Sequence, residues 1–418
     1  MLWWWPWRRR DLSAPSLRPP EPPPRGWWAA RLDLRPLWAL LRRKRVPVHR
    51  HAWVYLLGGA ALFAFLLQAA SGGLLMLYYQ PTEEGAHASV ERIVTSVPYG
   101  WLVRSLHVWG AHLFIAVVLL HLATTLVTQA YRRPRELTWV SGALLLFTVL
   151  GFGFSGYLLP WTQVSYFATL VGTQIPGSVP GVGELAVHVL RGGAQVDGGT
   201  LTRFYALHVF FLPVGLALLL LVHLALVQAQ DLSLPLGLRA ATVRDESPLL
   251  TEFVLLDAGL WCLMAGLVVS LAVLLPAGVA AGAQPLQPAP EGIAPEWYFL
   301  FAYQLLKLVP EWAGVLCLLL GAALLFAVPL LDRAAASGRR GAVMPLVLGT
   351  GAVCLALEAW AVLSRPEVAT PTCSAATYSR AHGLVTLALV WMAIGWLVYY
   401  LRQLRRLNAR VRRLYEGR

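Results

Sequence analysis

Eight long apolar stretches constrain this chain more than any other feature of its sequence. Each is long enough to cross roughly 30 Å of hydrocarbon as a helix. They are predicted at residues 53–80, 105–129, 138–159, 206–229, 253–276, 312–331, 342–364 and 383–401. Only 13% of the residues are charged and 57% are hydrophobic, which leaves too little charge to cover a water-soluble fold. We therefore predict an all-α membrane protein with eight transmembrane helices.

The net charge of +13 is distributed unevenly between the two sides of the predicted spans. With eight spans both termini lie on one side, and 27 of the 34 Lys and Arg residues fall there. The positive-inside rule then predicts cytoplasmic termini in a bacterial inner membrane. The first apolar stretch begins after residue 50, so no cleaved signal peptide is expected. Because the cations surround membrane spans, we expect no nucleic-acid partner.

The two ends of the chain differ in composition from the apolar part. Residues 1–35 form a Trp-, Pro- and Arg-rich arm that contains WWWPWRRR and PPEPPP. Such runs favour extended chain that does not pack, so this arm is either disordered or docks on a partner subunit. Residues 36–45 are predicted to be a basic amphipathic segment on the membrane surface. Residues 402–418 are predicted to be a basic cytoplasmic tail.

Four histidines lie inside two of the apolar stretches, the second and the fourth. His107 and His121 are 14 residues apart, and His208 and His223 are 15 apart, so each pair returns to roughly one helix face. Ionisable residues inside a bilayer are costly and mark functional sites. The two stretches run in the same direction, which puts His107 level with His208 and His121 level with His223. Two imidazoles from facing helices suit bis-histidine ligation of a haem iron at each level, and hence an electron path across the membrane.

Glycines in the first and third stretches repeat this vertical spacing. Gly58 and Gly72 are 14 residues apart, as are Gly142 and Gly156. A haem edge can press on a helix where side chains are absent. Small residues also serve plain helix packing, so the glycines support haem binding only together with the histidines. His112 turns away from both ligands on its helix and is expected to pack between helices or support a ligand.

Five segments of the chain resemble cytochrome b, the membrane core of the cytochrome bc (Rieske/cytochrome b) complexes. They are RSLHVWGAHLFIAVVLLH (104–121), RRPRELTWVSG (132–142), GYLLPW (156–161), LTRFYALHVFFLPVGLALLLLVH (201–223) and PEWYF (295–299). The 15-residue histidine separation and the RRPRELTW loop are closest to those of the photosynthetic-type branch. The N-terminal and C-terminal parts, which are separate subunits in that branch, are here fused in one chain. The resemblance implies a dihaem four-helix domain over residues 36–232. It also implies a C-terminal helical domain over residues 233–401, which carries the PEWY loop.

The resemblance implies a ligand set for two non-covalent b haems. His107 and His208 would hold the outer, low-potential haem, and His121 and His223 the inner, high-potential one. Arg104 would contact a haem propionate, as expected of a cation beside carboxylates at the membrane edge.

The resemblance also implies an outer quinol-oxidation site. Pro295, Glu296, Trp297 and Tyr298 match its PEWY segment, and Tyr157 would line the same pocket. A carboxylate in an amphipathic outer loop is a plausible proton acceptor for a quinol hydroxyl, which gives Glu296 that role.

Three departures from the family pattern change what is expected. Leu56 stands where the photosynthetic branch has the Cys that anchors an extra haem. The four cysteines form no CxxCH motif either, so no covalently bound haem is expected. Thr124 and Gln228 replace basic residues of the inner quinone site, whose ligands therefore stay open. The candidates are Gln228, Asp231, Glu252 and Asp257.

The implied function is that of the cytochrome b subunit of a quinol:cytochrome c oxidoreductase. Quinol would be oxidised at the outer face and electrons would pass through two b haems to an inner quinone, with proton translocation. A Rieske iron–sulfur protein, a c-type cytochrome and a second copy of the complex are the implied partners. The alternatives are a dihaem membrane anchor of another quinone-linked dehydrogenase and a transporter with histidine proton relays. Glu358, inside the seventh stretch, is either a proton carrier or a neutral structural acid.

Overall fold

The structure is a computed structural model, and nearly all of its regular structure is helical. It describes residues 45–47, 49, 52–234, 246–248, 253–290, 293–332 and 343–363. Several predicted features lie outside the described residues. These are the arm 1–35, the segment 36–45 apart from its last residue, Glu252, the eighth apolar stretch 383–401 and the tail 402–418.

Twelve α-helices and one small two-stranded sheet make up the described part of the chain. In order they are β1 (Arg45–Pro47), α1 (Leu56–Met76), α2 (Glu83–Thr95), α3 (Gly100–Val127), α4 (Glu136–Leu158), α5 (Gln163–Gln174), α6 (Gly183–Arg191), α7 (Gly198–Ala206), α8 (Leu212–Gln230), β2 (Glu246–Pro248), α9 (Val254–Leu274), α10 (Trp297–Leu308), α11 (Glu311–Leu331) and α12 (Val343–Leu363). A 3-10 turn, Ala52–Tyr55, leads into α1, and a π-helical turn, Leu207–Phe211, joins α7 to α8. The strands pair antiparallel.

Six helical segments in the described residues are long and apolar enough to span a membrane. They are α1 with its 3-10 turn, α3, α4, the continuous α7–α8 segment, α9 and α11. These match the first six predicted stretches, which confirms the all-α multi-pass membrane fold. The seventh stretch forms α12, whose apolar part, Pro345–Ala361, is shorter. Helix α3 begins at Gly100 rather than at residue 105, because Arg104 interrupts the apolar run without interrupting the helix.

The first four spanning segments form a bundle, and two later spans, α9 and α11, pack against it. Helix α1 packs along α3, α4 packs along α8, and α3 contacts α4. Ala60, Ala64, Ile115 and Val149 belong to the buried cluster between them. Helix α9 packs against α1 and α3, whereas α11 packs against α4. The bundle thereby faces its histidine-bearing helices, α3 and α8, toward the glycine-bearing helices, α1 and α4.

The π-helical turn accounts for the unequal histidine spacings. The Leu212 N–H bonds to the Leu207 carbonyl, five residues back. A π-bulge adds one residue to an α-helix, and it lies between His208 and His223. Helix α3 has no such turn, so 15 residues in the α7–α8 segment cover the same rise as 14 in α3. The π-helical turn lies just before Pro213, whose missing N–H cannot continue the hydrogen-bond ladder.

Short helices cluster at the end of the bundle that carries His107 and His208, here called the upper end. They are α2, α5, α6 and α10. The apolar pattern did not predict them, because they are too short to register as spans. Side-chain caps mark two of the helix starts in this region: Thr82 accepts from the Gly85 N–H, and Thr162 forms a capping box with Ser165.

A buried polar network locks the connection between α3 and α4 onto the end of α11. Asp332 Oδ2 accepts hydrogen bonds from Tyr131 Oη at 2.7 Å and from Gln129 Nε2 at 3.1 Å. All three side chains are at most 4% exposed. Gln129 has a φ of 53°, which an L residue adopts at a cost, and its side-chain bond offsets that cost. Burial, and next the hydrogen bond to the Asp332 carboxylate, raise the pKa of Tyr131 well above its usual range.

We expect Asp332→Ala to destabilise the protein, because it leaves two buried donors without an acceptor. Each unpaired buried donor costs about 1–3 kcal/mol, so the apparent melting temperature in detergent should fall. Asp332→Asn is the control, since its amide oxygen can still accept. Equal melting temperatures for Asp332→Ala and the unsubstituted protein would contradict this role.

Candidate functional site

The structure brings the four predicted histidines together as two pairs. The ring centroids of His107 and His208 lie 6.2 Å apart. His121 and His223 are close enough to interact electrostatically. A metal–imidazole bond is about 2 Å long, so two imidazoles on opposite sides of one iron have centroids about 6 Å apart. The upper pair has the separation that bis-histidine ligation requires.

Each histidine ring faces one of the four predicted glycines. The pairs are Gly72–His107, Gly156–His208, Gly142–His223 and Gly58–His121. A Cβ at Gly156 would lie 2.5 Å from His208 Cε1, and one at Gly72 would lie 3.1 Å from His107 Cε1. A Cβ at Gly156 would collide with the His208 ring and one at Gly72 would press on the His107 ring, so glycine at both positions favours the observed ring placement.

A serine precedes three of the four glycines and contacts the histidine opposite. Ser71 Oγ lies 3.0 Å from His107 Nδ1, Ser155 Oγ lies 3.1 Å from His208 Nδ1, and Ser141 Oγ lies 2.9 Å from His223 Nδ1. The sequence interpretation missed these serines, although the repeated Ser-Gly dipeptide was a readable signal. A hydrogen bond at Nδ1 orients the ring and directs Nε2 toward a metal.

The fourth histidine lacks such a partner. Leu57 precedes Gly58, so α1 presents no hydroxyl at this level. His121 Nδ1 is buried and has no hydrogen-bond partner among the described residues. The two histidine pairs therefore differ in the support that they receive.

The donor set fits haem better than a bare metal ion. Within the described part of the chain, no group of three or more His, Cys, Asp or Glu side chains could hold a metal. Each pair supplies two nitrogens, and the ring nitrogens of a haem would complete the coordination of an iron held between them. The glycines opposite the imidazoles leave the space that the ligating rings occupy.

Arg104 lies near the upper pair but is also tied to the protein. Its Nη1 donates to the Ala277 carbonyl at 2.5 Å, and its charge acts on His107. The Ala277 N–H in turn donates to Ser105 Oγ. The segment after α9 is thereby held at the start of α3. A positively charged guanidinium with five N–H donors suits a haem propionate at this level.

Three residues predicted for the outer quinol site meet at the start of α10. Tyr298 is 8% exposed. Burial, and then the nearby Glu296 carboxylate and Tyr157, raise the pKa of Tyr298 well above its usual range. Gly153 on α4 makes the approach possible, since a Cβ there would lie 2.8 Å from the Tyr298 ring. Glu296, preceded by Pro295, occupies the N-cap position of α10.

Trp297, the third residue of the PEWY segment, connects α10 to the histidine-bearing bundle. Trp297 Nε1 donates to His112 Nδ1 at 3.1 Å. The sequence interpretation assigned His112 a packing or supporting role without naming its contact. Helix α3 thus supplies the His107 ring to the upper pair and, a turn and a half further along, an anchor for the quinol-site segment.

The described candidates for the inner quinone site lie at the opposite end of the bundle, on two different helices, α9 and α8. Asp257 lies directly against Gly59, next to the glycine that faces His121. Asp257 Oδ1 and Trp261 Nε1 are buried without partners among the described residues. They are four residues apart on α9, hence on one face.

The other two described candidates lie at the end of α8. Asp231 is the C-cap residue, and its carbonyl accepts a hydrogen bond from Arg135 Nε at 3.2 Å. Gln228 lies just before it within α8.

Glu358 contributes to the packing of α12 against α10. Its Oε2 accepts the Phe301 N–H at 3.0 Å. The bond satisfies a carboxylate in an apolar helix, which fits the structural alternative for this residue.

Comparison with known proteins gives two family matches. Residues 42–231 match the family model described as cytochrome b/b6/petB, and residues 282–378 match cytochrome b(C-terminal)/b6/petD. The chain is 41% identical to a cytochrome bc complex cytochrome b subunit of Chlorobaculum thiosulfatiphilum, over 77% of this chain and 76% of that protein. It is 44% identical to cytochrome b6 of Emiliania huxleyi, over 50% of this chain and 97% of that protein.

A solved structure described as a hyperthermophilic respiratory Complex III has a similar fold. It superposes with a TM-score of 0.72 at 28% identity, over 89% of this chain and 96% of that chain. The chain therefore belongs to the cytochrome b/b6 family, with the N-terminal and C-terminal family regions joined in one polypeptide.

Proposed function

We propose that this chain is the cytochrome b subunit of a cytochrome bc-type quinol:cytochrome c oxidoreductase. The observation that carries the proposal is the pair of facing imidazoles, His107 and His208, beside the PEWY segment at one end of a membrane bundle. The match of residues 282–378 to the C-terminal family region argues against a simple dihaem anchor, which has no need of that region.

The chain's own residues would hold two b haems, one at each histidine pair. His107 and His208 would ligate the upper iron, and His121 and His223 the lower one. When bound, the two haems supply one-electron transfer across the membrane between the two quinone pockets. The glycines opposite the imidazoles would leave room for the ligating rings.

Quinol oxidation is assigned to the upper pocket, where the protein must remove protons from the substrate. Glu296, at the start of α10, would accept a proton from a quinol hydroxyl. Tyr298 stays neutral because its pKa is raised, so its hydroxyl can donate a hydrogen bond to a quinone oxygen. Tyr157 would complete the wall of this pocket.

Quinone reduction is assigned to the lower pocket, near His121. Asp257 and Trp261 present an acceptor and a donor that the described protein groups leave unsatisfied. A quinone needs both a hydrogen-bond donor at its oxygen and a proton source during reduction. The carboxyl group of Asp257 would supply a proton, and Trp261 would orient the ring.

The membrane side and the partners follow from the same proposal. The upper end would face outward and the termini would lie in the cytoplasm of a bacterial inner membrane. One electron from quinol would leave to a Rieske iron–sulfur protein and on to a c-type cytochrome, since this chain has no motif for either centre. The complex would be a homodimer.

Substituting one member of a histidine pair should remove one haem. We expect the purified protein to bind two b haems and His121→Leu to bind one, because a single imidazole holds iron weakly. Haem is measured by the pyridine haemochrome assay against protein concentration. His112→Leu is the matched control on the same helix and should keep both haems. Protein without haem before substitution would contradict the proposed function itself.

Glu296→Gln should slow quinol oxidation while both haems stay bound. Positioned proton transfer contributes typically about 10²-fold or more to rate, and glutamine cannot accept the proton. The measurement is quinol:cytochrome c reductase activity of the intact complex, with haem content read in parallel. Glu311→Gln, at the exposed start of α11, is the control and should leave the rate unchanged. An unchanged rate for Glu296→Gln would remove the carboxylate from the proton path.

The bond from Trp297 to His112 should position the quinol-site segment. We expect His112→Leu to lower quinol oxidation about 5-fold, in line with one lost hydrogen bond. His112→Asn should largely restore it, because an amide oxygen can accept from the indole N–H. Similar rates for the leucine and asparagine variants would show that the hydrogen bond does not matter.

A further inference from the structure

The four imidazoles differ in their contacts with serine. Both histidines of the upper pair contact a serine, whereas only one histidine of the lower pair does. The exception is His121, opposite the Leu57–Gly58 dipeptide. Ser71 and Leu57 are 14 residues apart on α1, as are His107 and His121 on α3. The two levels are otherwise built alike on these helices.

The direction of each serine contact follows from the second hydrogen bond of its hydroxyl. Ser71 Oγ donates to the Leu67 carbonyl at 2.7 Å, and Ser155 Oγ donates to the Gly151 carbonyl at 2.8 Å. Ser141 Oγ donates to the Thr138 carbonyl at 2.9 Å. A hydroxyl has one proton, so each serine oxygen must accept from the histidine Nδ1–H. These imidazoles therefore carry the proton on Nδ1 and offer the Nε2 lone pair.

This direction affects the strength of the imidazole as a ligand. A histidine that donates its second N–H to an acceptor becomes a more basic ligand. A stronger donor stabilises ferric over ferrous iron, and hydrogen bonding around the ligands is one of the means by which proteins set haem potentials. A haem with two supported histidines should have a lower potential than a haem with one.

We propose that the serines at positions 71, 155 and 141, with leucine at position 57, set the order of the two haem potentials. Ser71 and Ser155 support both ligands of the upper haem and lower its potential. Ser141 supports only one ligand of the lower haem, so that haem keeps the higher potential. The resulting difference favours electron flow from the upper quinol pocket to the lower quinone pocket. The inference rests on the proposed haem ligation, and these serines are positioning residues that act through the histidines.

The first test removes a hydroxyl at the upper level. We expect Ser71→Ala to shift the midpoint potential of the upper haem upward, toward that of the lower haem, in a potentiometric titration of the purified complex. Ser71→Thr is the conservative control and should keep the potential low, because threonine can make both hydrogen bonds. The haem content should stay at two per chain in both variants.

The second test adds a hydroxyl at the lower level. Leu57 is 7% exposed and lies at the start of α1. We expect Leu57→Ser to lower the potential of the lower haem, since the introduced oxygen can accept from His121 Nδ1. Leu57→Ala makes a similar cavity without the hydroxyl, so a shift specific to serine separates hydrogen bonding from packing. The upper haem should not respond.

The outcomes distinguish the inference from the function on which it rests. Two haems whose potentials move in opposite directions in Ser71→Ala and Leu57→Ser support it. Two haems whose potentials do not move in either variant overturn it and leave the proposed function standing. Protein that binds no haem before substitution overturns both.

Discussion

Placing four imidazoles inside an apolar bundle is the constraint on which the rest of this structure depends. A ring buried among hydrocarbon groups needs space, and its polar atoms are costly to bury without a hydrogen-bond partner. Glycines on α1 and α4 make room for the rings, and serines beside three of those glycines hold Nδ1. The same two helices therefore provide the space for all four rings and a hydroxyl contact for three of them, and on α4 the Ser-Gly pair repeats after 14 residues.

The histidines can form two pairs only if the two helical segments that carry them, α3 and α7–α8, keep a matching register. Helix α3 is regular, whereas the α7–α8 segment contains a π-helical turn before Pro213. The extra residue of that turn allows His223 to lie level with His121 while His208 lies level with His107. An irregularity in one helix thus preserves the register between two helices, and π-bulges are common at functional sites for this kind of reason.

The later helices add polar side chains at each end of the bundle that the first four spans form. At the upper end, α10 brings Glu296 and Tyr298 to the surface of α4, and Trp297 reaches His112 on α3. At the lower end, α9 brings Asp257 against Gly59 on α1. The joined C-terminal region therefore contributes polar groups to both ends of the bundle, and these are the ends at which quinone chemistry would take place.

The sequence by itself determined the all-α membrane class and the spans covered by the described residues. It also indicated which four histidines come together as two pairs. It could do so because apolar length and a spacing near 14 residues are local properties of a helix. Only the tertiary structure decided which serine faces which ring, that His121 has none, and that His112 holds Trp297. It also showed Gln129 and Tyr131 bonded to Asp332, some 200 residues away. These contacts depend on how helices distant in sequence face each other, and local periodicity does not carry that information.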